Sequence, residues 1–400
     1  MYTPRINWII FSFFVLISVA VFVASLVSPL VRSYSYAPLR DLILPPPKPI
    51  TLYVLYSTEK DAWIKEAIQI FEKTNPSYEG HPIKVEVKDM GSREMYLAVL
   101  DGKEKPVIIS PASSLQISIL QDLSASKFGT PLVEVSNRNS CRSVFSSPLV
   151  LVAWQERAQA IWSREPGKDV WQQIQKLATD PEGWGAYGHP EWGYFKFGHT
   201  NPLKSNSGFM TILLLTYGYF DKTSSLTTND ILGNKDFQSW FLGLEETISR
   251  FGESTGTYMR DIITYGPSVY DMVSVYEATA IEQADNAIGR YGELRVFYPP
   301  ATVLSDHPFC ILNAEWVSPQ EASAAQIFID FLLSEPIQNL ALMRYGFRPA
   351  EKSIRLDQPG SPFVRYETNG LKTDLPPQVE IPAGNILNTL LDFWSRNINR

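Results

Sequence analysis

The sequence predicts an α/β protein of two lobes, the second inserted into the first, carried behind one membrane-crossing helix. Three observations predict it. Strand-like and helix-like segments alternate from Ile50 to Ser110, the content turns helical through the middle of the chain, and strand-then-helix patterning resumes after Pro299-Pro300. Ahead of all of this, residues 8–31 form an apolar run that no charged residue interrupts.

At about 1.5 Å of rise per helical residue, that run is long enough to cross a hydrocarbon core. It is longer than the roughly 7 to 15 residues of a cleavable signal core, and its best small-residue exit, near Val23 to Ser25, lies inside it. The expectation is an uncleaved signal anchor. Residues 38–49, with Pro45-Pro46-Pro47, read as an extended polyproline spacer.

The body opens with Ile50-Thr-Leu-Tyr-Val-Leu-Tyr56, β-branched and aromatic as a buried strand should be, followed by an amphipathic helix over 63–72. Ile83-Lys-Val-Glu-Val-Lys88 alternates as a half-solvated strand, a helix follows at 95–100, and 107–110 is another short strand. Strands separated by helices imply a parallel sheet with right-handed crossovers. A strand at 149–154 leads into the middle region. There, helices are expected at 171–177, 210–219, 236–251, 258–265 and 268–285, with a strand at 294–298. The chain returns through a strand at 309–312 and a helix at 319–333. The division implied is 1–49 for anchor and spacer, 50–152 with 300–400 for the first lobe, and 153–299 for the second. Ligands sit beyond the carboxyl ends of strands in open α/β sheets, so two such lobes enclose a cleft.

Composition narrows the function. Among 400 residues Lys and Arg number 35 against 42 Asp and Glu, a net charge of −7, with no cationic excess to displace counterions from a nucleic acid. The four histidines, at 81, 189, 199 and 307, show no paired spacing, so no metal site is expected; His199 is read as fixing its own loop by hydrogen bonding. No GxSxG, HExxH, P-loop or GxGxxG is present, which leaves neither an enzyme nor a cofactor to expect. Of the many aromatic residues, only Trp184, Tyr187, Trp192 and Tyr194 cluster in a way that would suit stacking on a sugar. Cys141 and Cys310 are the only cysteines, and a bridge or two buried thiols both remain open.

The most specific text is Trp192-Gly-Tyr-Phe-Lys-Phe-Gly-His-Thr-Asn-Pro-Leu-Lys-Ser-Asn-Ser-Gly208. It resembles the core motif of bacterial extracellular solute-binding proteins with the type 2 periplasmic-binding fold. More narrowly, it looks like the group in which some members carry a von Willebrand factor type A domain after the binding module. Similarity continues at Tyr276-Glu277, Ser305-Asp-His-Pro-Phe309, Ala324-Ala325, Phe328-Ile-Asp-Phe-Leu332 and Gly346-Phe-Arg-Pro-Ala350, so it covers about residues 50–350. The resemblance implies a periplasmic-binding-protein-like body with a hinge, placed in the periplasm or outside the cell; the single-pass inner-membrane anchor expected from the apolar run departs from it, since typical binding proteins have a cleaved or lipid-modified start. It implies no cofactor, a small polar or anionic ligand captured by lobe closure, and a transporter permease or other membrane protein as partner. The rival reading is an assembly protein that uses the same fold to hold a protein partner.

Candidate ligand contacts follow from position. Tyr56 and Ser57 end the first strand, and Ser113 lies between the third strand and its helix, positions that face the cleft. Asn201, Ser205, Ser207 and Gly208 precede or open the apolar helix at 210–219. Its first N–H groups would meet a ligand, with Gly208 permitting close backbone approach. Ser205 or Asn206 would equally serve as an ordinary helix cap. Tyr276 and Glu277 are expected on a middle-region helix, where Glu277 either accepts hydrogen bonds from a ligand or pairs with a neighbouring Lys or Arg.

Overall fold

A computed structural model describes residues 5–28, 31, 34, 47–162, 166–167 and 169–398. Most of the proline-rich spacer lies outside the described residues. The first helix spans Arg5–Val27, and its segment Trp8–Val27, with mean hydropathy 2.8, is long and apolar enough to cross a membrane. An anchor and a secretory signal both meet that criterion.

The body contains two sheets. The strands are β1 (Ile50–Tyr56), β2 (Ser77–Tyr78), β3 (His81–Asp89), β4 (Ile108–Ser110), β5 (Cys141–Ser143), β6 (Phe145–Trp154), β7 (Phe197–Gly198), β8 (Met272–Tyr276), β9 (Leu294–Phe297), β10 (Leu304–Ser305), β11 (Pro308–Ile311) and β12 (Arg348–Pro349). The first sheet has the order β2-β3-β1-β4-β11-β5. Its centre is parallel, as the alternation with helices predicts: β1 pairs with β3 from Ile50↔Ile83 to Tyr56↔Asp89 and with β4 from Val54↔Ile108 to Tyr56↔Ser110. β11 then enters antiparallel to β4 and β5, because the chain comes back from the second lobe rather than through a crossover helix. Within that pair Cys141 faces Cys310, and the two sulfurs are bonded.

The second sheet is built on β6, which pairs antiparallel with β8 and β9 from Leu149 onward and with β12 and β10 over its first four residues. Three segments therefore meet at the start of β6: 145–148, 304–305 and 348–349. The sequence reading starts this strand at Leu149. The strand instead continues through Pro148 to Phe145, with Pro148 opposite Leu304 of the two-residue β10. A second difference concerns 268–285, read as one helix. Residues 272–276 form β8, the strand between β6 and β7, and the helix is Glu277–Ala287. All five β8 residues are buried, so no amphipathic alternation marks it, and the helix begins at the next residue.

Apolar packing follows the sheets. Leu52, Val54, Trp63, Ile64, Phe328 and Ile329 fill one side of the first sheet. A larger cluster runs from Leu115 and Ile117 of the helix Ser114–Phe128, through Leu387, Leu390 and Trp394 of the last helix, Gly384–Asn397, to Phe209 and Leu213 of the helix Asn206–Tyr219. After β12 the chain does not return wholly to the first sheet: Phe363 and Leu371 pack with Val150, Val152 and Val273 of the second.

Candidate functional site

The carboxyl end of β1 delivers Tyr56 and Ser57 to the seam between the sheets, and the next residues curl into a short 3-10 turn, Thr58–Lys60. Lys60 is fully buried. Its ammonium donates to Ser57 Oγ (2.7 Å), the Ser110 carbonyl (2.8 Å) and the Pro111 carbonyl (3.1 Å), tying the ends of β1 and β4 together. Burial lowers its pKa to about 8, against the raising effect of the Glu59 and Asp306 carboxylates. The Glu59 carboxylate lies 3.3 Å from His307 Nδ1. Burial alone would raise Glu59, yet the His307 hydrogen bond and the Lys60 charge hold it at about 2.

Above this floor lies a cavity of about 710 Å³. The first lobe lines it with Ser57, Thr58, Glu59, Gly91, Ser92, Arg93 and Glu94, and the second with Lys204, Ser205, Asn206, Glu253, Thr255 and Tyr276. Three helices begin at its wall: Ser92–Leu100, Asn206–Tyr219 and Thr255–Tyr265. Helix starts carry free N–H groups and the positive end of the helix dipole. The lobes touch across the seam. Asn206 Oδ1 accepts from Ser113 Oγ (3.1 Å) and Gln116 Nε2 (2.8 Å) of the first lobe, while its Nδ2 donates to Tyr276 OH (2.9 Å).

The nine sequence candidates separate into groups. Ser57, Ser205 and Tyr276 line the cavity. Ser113 is buried at its edge and engaged with Asn206. Tyr56 is also buried, its hydroxyl donating to Asp61. Ser207 is closed in by Thr200 Oγ1 and Thr255 Oγ1, each at 2.7 Å. A Cβ on Gly208 would lie 1.9 Å from the Thr200 carbonyl oxygen, so this glycine permits close approach of the Thr200 to Pro202 backbone. Asn201 accepts from its own Leu203 N–H (2.9 Å) and lines a separate pocket beside Glu245 and Trp394. Tyr276 ends a strand rather than lying on a helix. Glu277 opens the next helix, fully buried, and Arg348 donates to its carboxylate through Nε and NH2, both at 2.7 Å. Of the two roles open to Glu277, the structure shows the ion pair.

His199 does fix its loop: Nδ1 lies 2.7 Å from the Thr200 carbonyl and Nε2 3.0 Å from Glu245. Trp184 is core, and Trp192 stacks on His189 and lies against the Arg157 guanidinium, whereas Tyr194 of the same cluster is exposed. Among the described residues no group of His, Cys, Asp or Glu is placed to hold a metal. Sequence reasoning missed Arg93 and Glu94 as cavity residues and weighed Asn206 only as a helix cap. Gly91-Ser92 after a strand is a helix-start signal of the kind already used at Ser205, and it would have placed Arg93.

Comparison with known proteins agrees with this architecture. No curated protein matches the chain. Solved structures share the fold: the periplasmic binding protein AfuA from Actinobacillus pleuropneumoniae with fructose-6-phosphate bound superposes with a TM-score of 0.57 at 16% identity, over 87% of this chain and 99% of that one. Iron-bound HitA from Pseudomonas aeruginosa gives 0.55 at 15% identity, over 88% and 99%. The sulfate-binding protein SubI from Mycobacterium tuberculosis gives 0.53 at 15% identity, over 84% and 96%. The family model of bacterial extracellular solute-binding proteins matches residues 52–348, spanning both sheets and every strand from β2 to β11, and the chain belongs to that family.

Proposed function

We propose that the protein captures a small polar or anionic ligand between its lobes and presents the closed form to an ABC-type transporter or sensor in the membrane that its own first helix anchors. It binds and does not transform. The cavity lined from both lobes carries this reading, since a ligand touching both walls stabilises the closed arrangement by its differential affinity. Three helix starts at one wall favour negative or strongly polar groups. AfuA with a bound sugar phosphate and a sulfate-binding protein, both of this fold, agree with that preference in kind. We place the lobe boundary at the triple junction of 145–148, 304–305 and 348–349.

The test is a thermal-shift screen of the full chain in detergent against sugars, amino acids, organic acids, phosphates and cations. A ligand at 100 times its Kd stabilises the fold by about 2.7 kcal/mol, well within reach of the measurement. A broad screen without a single hit would sink the reading. One observation favours a second reading, the assembly protein: Asn206 already bridges the lobes with a protein side chain. Co-purification with a protein partner after an empty screen would establish it.

A further inference from the structure

We propose that Arg93 is the anion clamp of this cavity, and that the ligand is an organic anion bearing hydroxyl or ammonium donors, its carboxylate or phosphate on Arg93 and a donor on Glu94. This rests on the ligand-binding reading above and narrows it. Seven charged side chains line the cavity, and most are already neutralised. Lys103 pairs with Asp101 at 3.0 Å, Lys204 with Glu253 at 2.7 Å, and Glu59 with Lys60 and His307 at 3.9 and 3.3 Å. Two remain. Among the described residues no carboxylate comes within salt-bridge distance of Arg93 and no cation within that distance of Glu94. Arg93 Nε is buried without an acceptor, and the ionisable neighbour of its guanidinium is the Tyr96 phenol.

A guanidinium presents a planar fork matched to the two oxygens of a carboxylate or phosphate, and one beside a cavity without a carboxylate partner is the element such a group requires. Arg93 stands in the first turn of the helix Ser92–Leu100, where the backbone adds its own donors. Among the described residues, no acceptor meets the N–H groups of Ser92, Arg93, Asn206 or Thr255, each of which belongs to a helix start at the wall. Two features point beyond a bare oxyanion. The volume of about 710 Å³ falls in the range of about 300 to 1,000 Å³ that accommodates organic ligands, of which a single sulfate or phosphate fills a small part. Thr58, exposed at the same wall, and Glu94 offer a hydroxyl and a carboxylate to the body of the ligand.

The experiment is calorimetric titration of the full chain in detergent with glucose 6-phosphate, gluconate, inorganic phosphate and glucose. At least one of the two organic anions is expected to bind, with inorganic phosphate and glucose about tenfold or more weaker. Arg93→Gln should weaken that anion by about ten- to a hundredfold, the scale of hydrogen bonds to a charged group. Arg93→Lys should restore only part, because an ammonium lacks the fork. Both variants should keep the unliganded melting temperature. The proposal is overturned if Arg93→Gln binds the organic anion within about threefold of the parent protein, or if inorganic phosphate binds as tightly. If neither organic anion binds while neutral or cationic compounds in the wider screen do, the anion clamp fails and the lobe-closure reading stands. If nothing binds, both fall.

Discussion

Glu59 shows how a buried charge at the cleft floor is tolerated, and its chemistry predicts an acid response. Burial opposes its ionisation, but the His307 hydrogen bond and the Lys60 charge hold the folded carboxyl at about 2, against 4.5 for a free one. A carboxyl depressed in the folded state binds fewer protons there than in the unfolded chain. Stability is then fully present above pH 4.5 and drains as pH falls from 4.5 toward 2. Glu59→Gln should lower stability at neutral pH and flatten that acid slope in urea titrations between those values. An unchanged slope would show that Glu59 does not couple to folding. At this scale the sequence carried the strand-end residue Ser57 and the helix-start residue Ser205 to the cavity wall, because position in an α/β unit dictates which residues reach the seam, whereas Tyr276 lines the wall from a strand end and not from the helix expected for it. It could not tell Gly208 apart from a ligand contact, since the carbonyl of Thr200 that excludes a Cβ there arrives by tertiary folding. Gly208→Val therefore tests packing, not binding. We expect it to melt well below the parent protein with or without ligand.

At the scale of elements, the helix that starts at Glu277 is fastened to β12. Arg348 on β12 donates to both Glu277 oxygens at 2.7 Å and also to the Thr373 and Lys372 carbonyls at 2.6 and 2.5 Å. Tyr298 donates to the same carboxylate. Removing one member leaves a buried charge uncompensated, so Arg348→Ala should cost about 3 to 5 kcal/mol in denaturant unfolding. A loss below about 1 kcal/mol would place the pair among solvent-screened bridges. β5 and β11 offer a second check: unfolded, unreduced protein should show no titratable thiol, because Cys141 and Cys310 are bridged. Replacing both with Ser should cost about 2 to 5 kcal/mol. Elements with a clear pattern or a distinct apolar run were the legible ones. β3 alternates buried and exposed residues and its strand was readable from the text, whereas β8, buried along its whole length and followed directly by a helix, had no periodicity to distinguish it. Strand direction after Pro308 was equally out of reach, since it depends on the route back from the second lobe.

At the scale of the whole molecule, the apolar interior is shared. The helix Ser114–Phe128 belongs with the first sheet and the helix Asn206–Tyr219 with the second, yet both pack with the last helix, Gly384–Asn397, in one continuous cluster. The close fit is visible at Gly384, where a Cβ would lie 2.3 Å from Asp122 of the first lobe. At its other end Trp394 Nε1 donates to Glu245 of the second at 2.6 Å. Chains of this length often unfold lobe by lobe. Here, melting either lobe strips buried surface from Leu387, Leu390 and Leu391, so the other lobe loses part of its own core at the same moment. The body should consequently unfold in a single calorimetric transition, with tryptophan fluorescence and far-ultraviolet circular dichroism changing at the same temperature. Leu390→Ala sharpens the test. Truncating a buried leucine costs about 2 to 5 kcal/mol, and in a shared core that loss must move the whole transition downward. Two separated transitions in the parent protein, or a variant in which only one of them moves, would show that the last helix serves a single lobe and that the lobes fold independently.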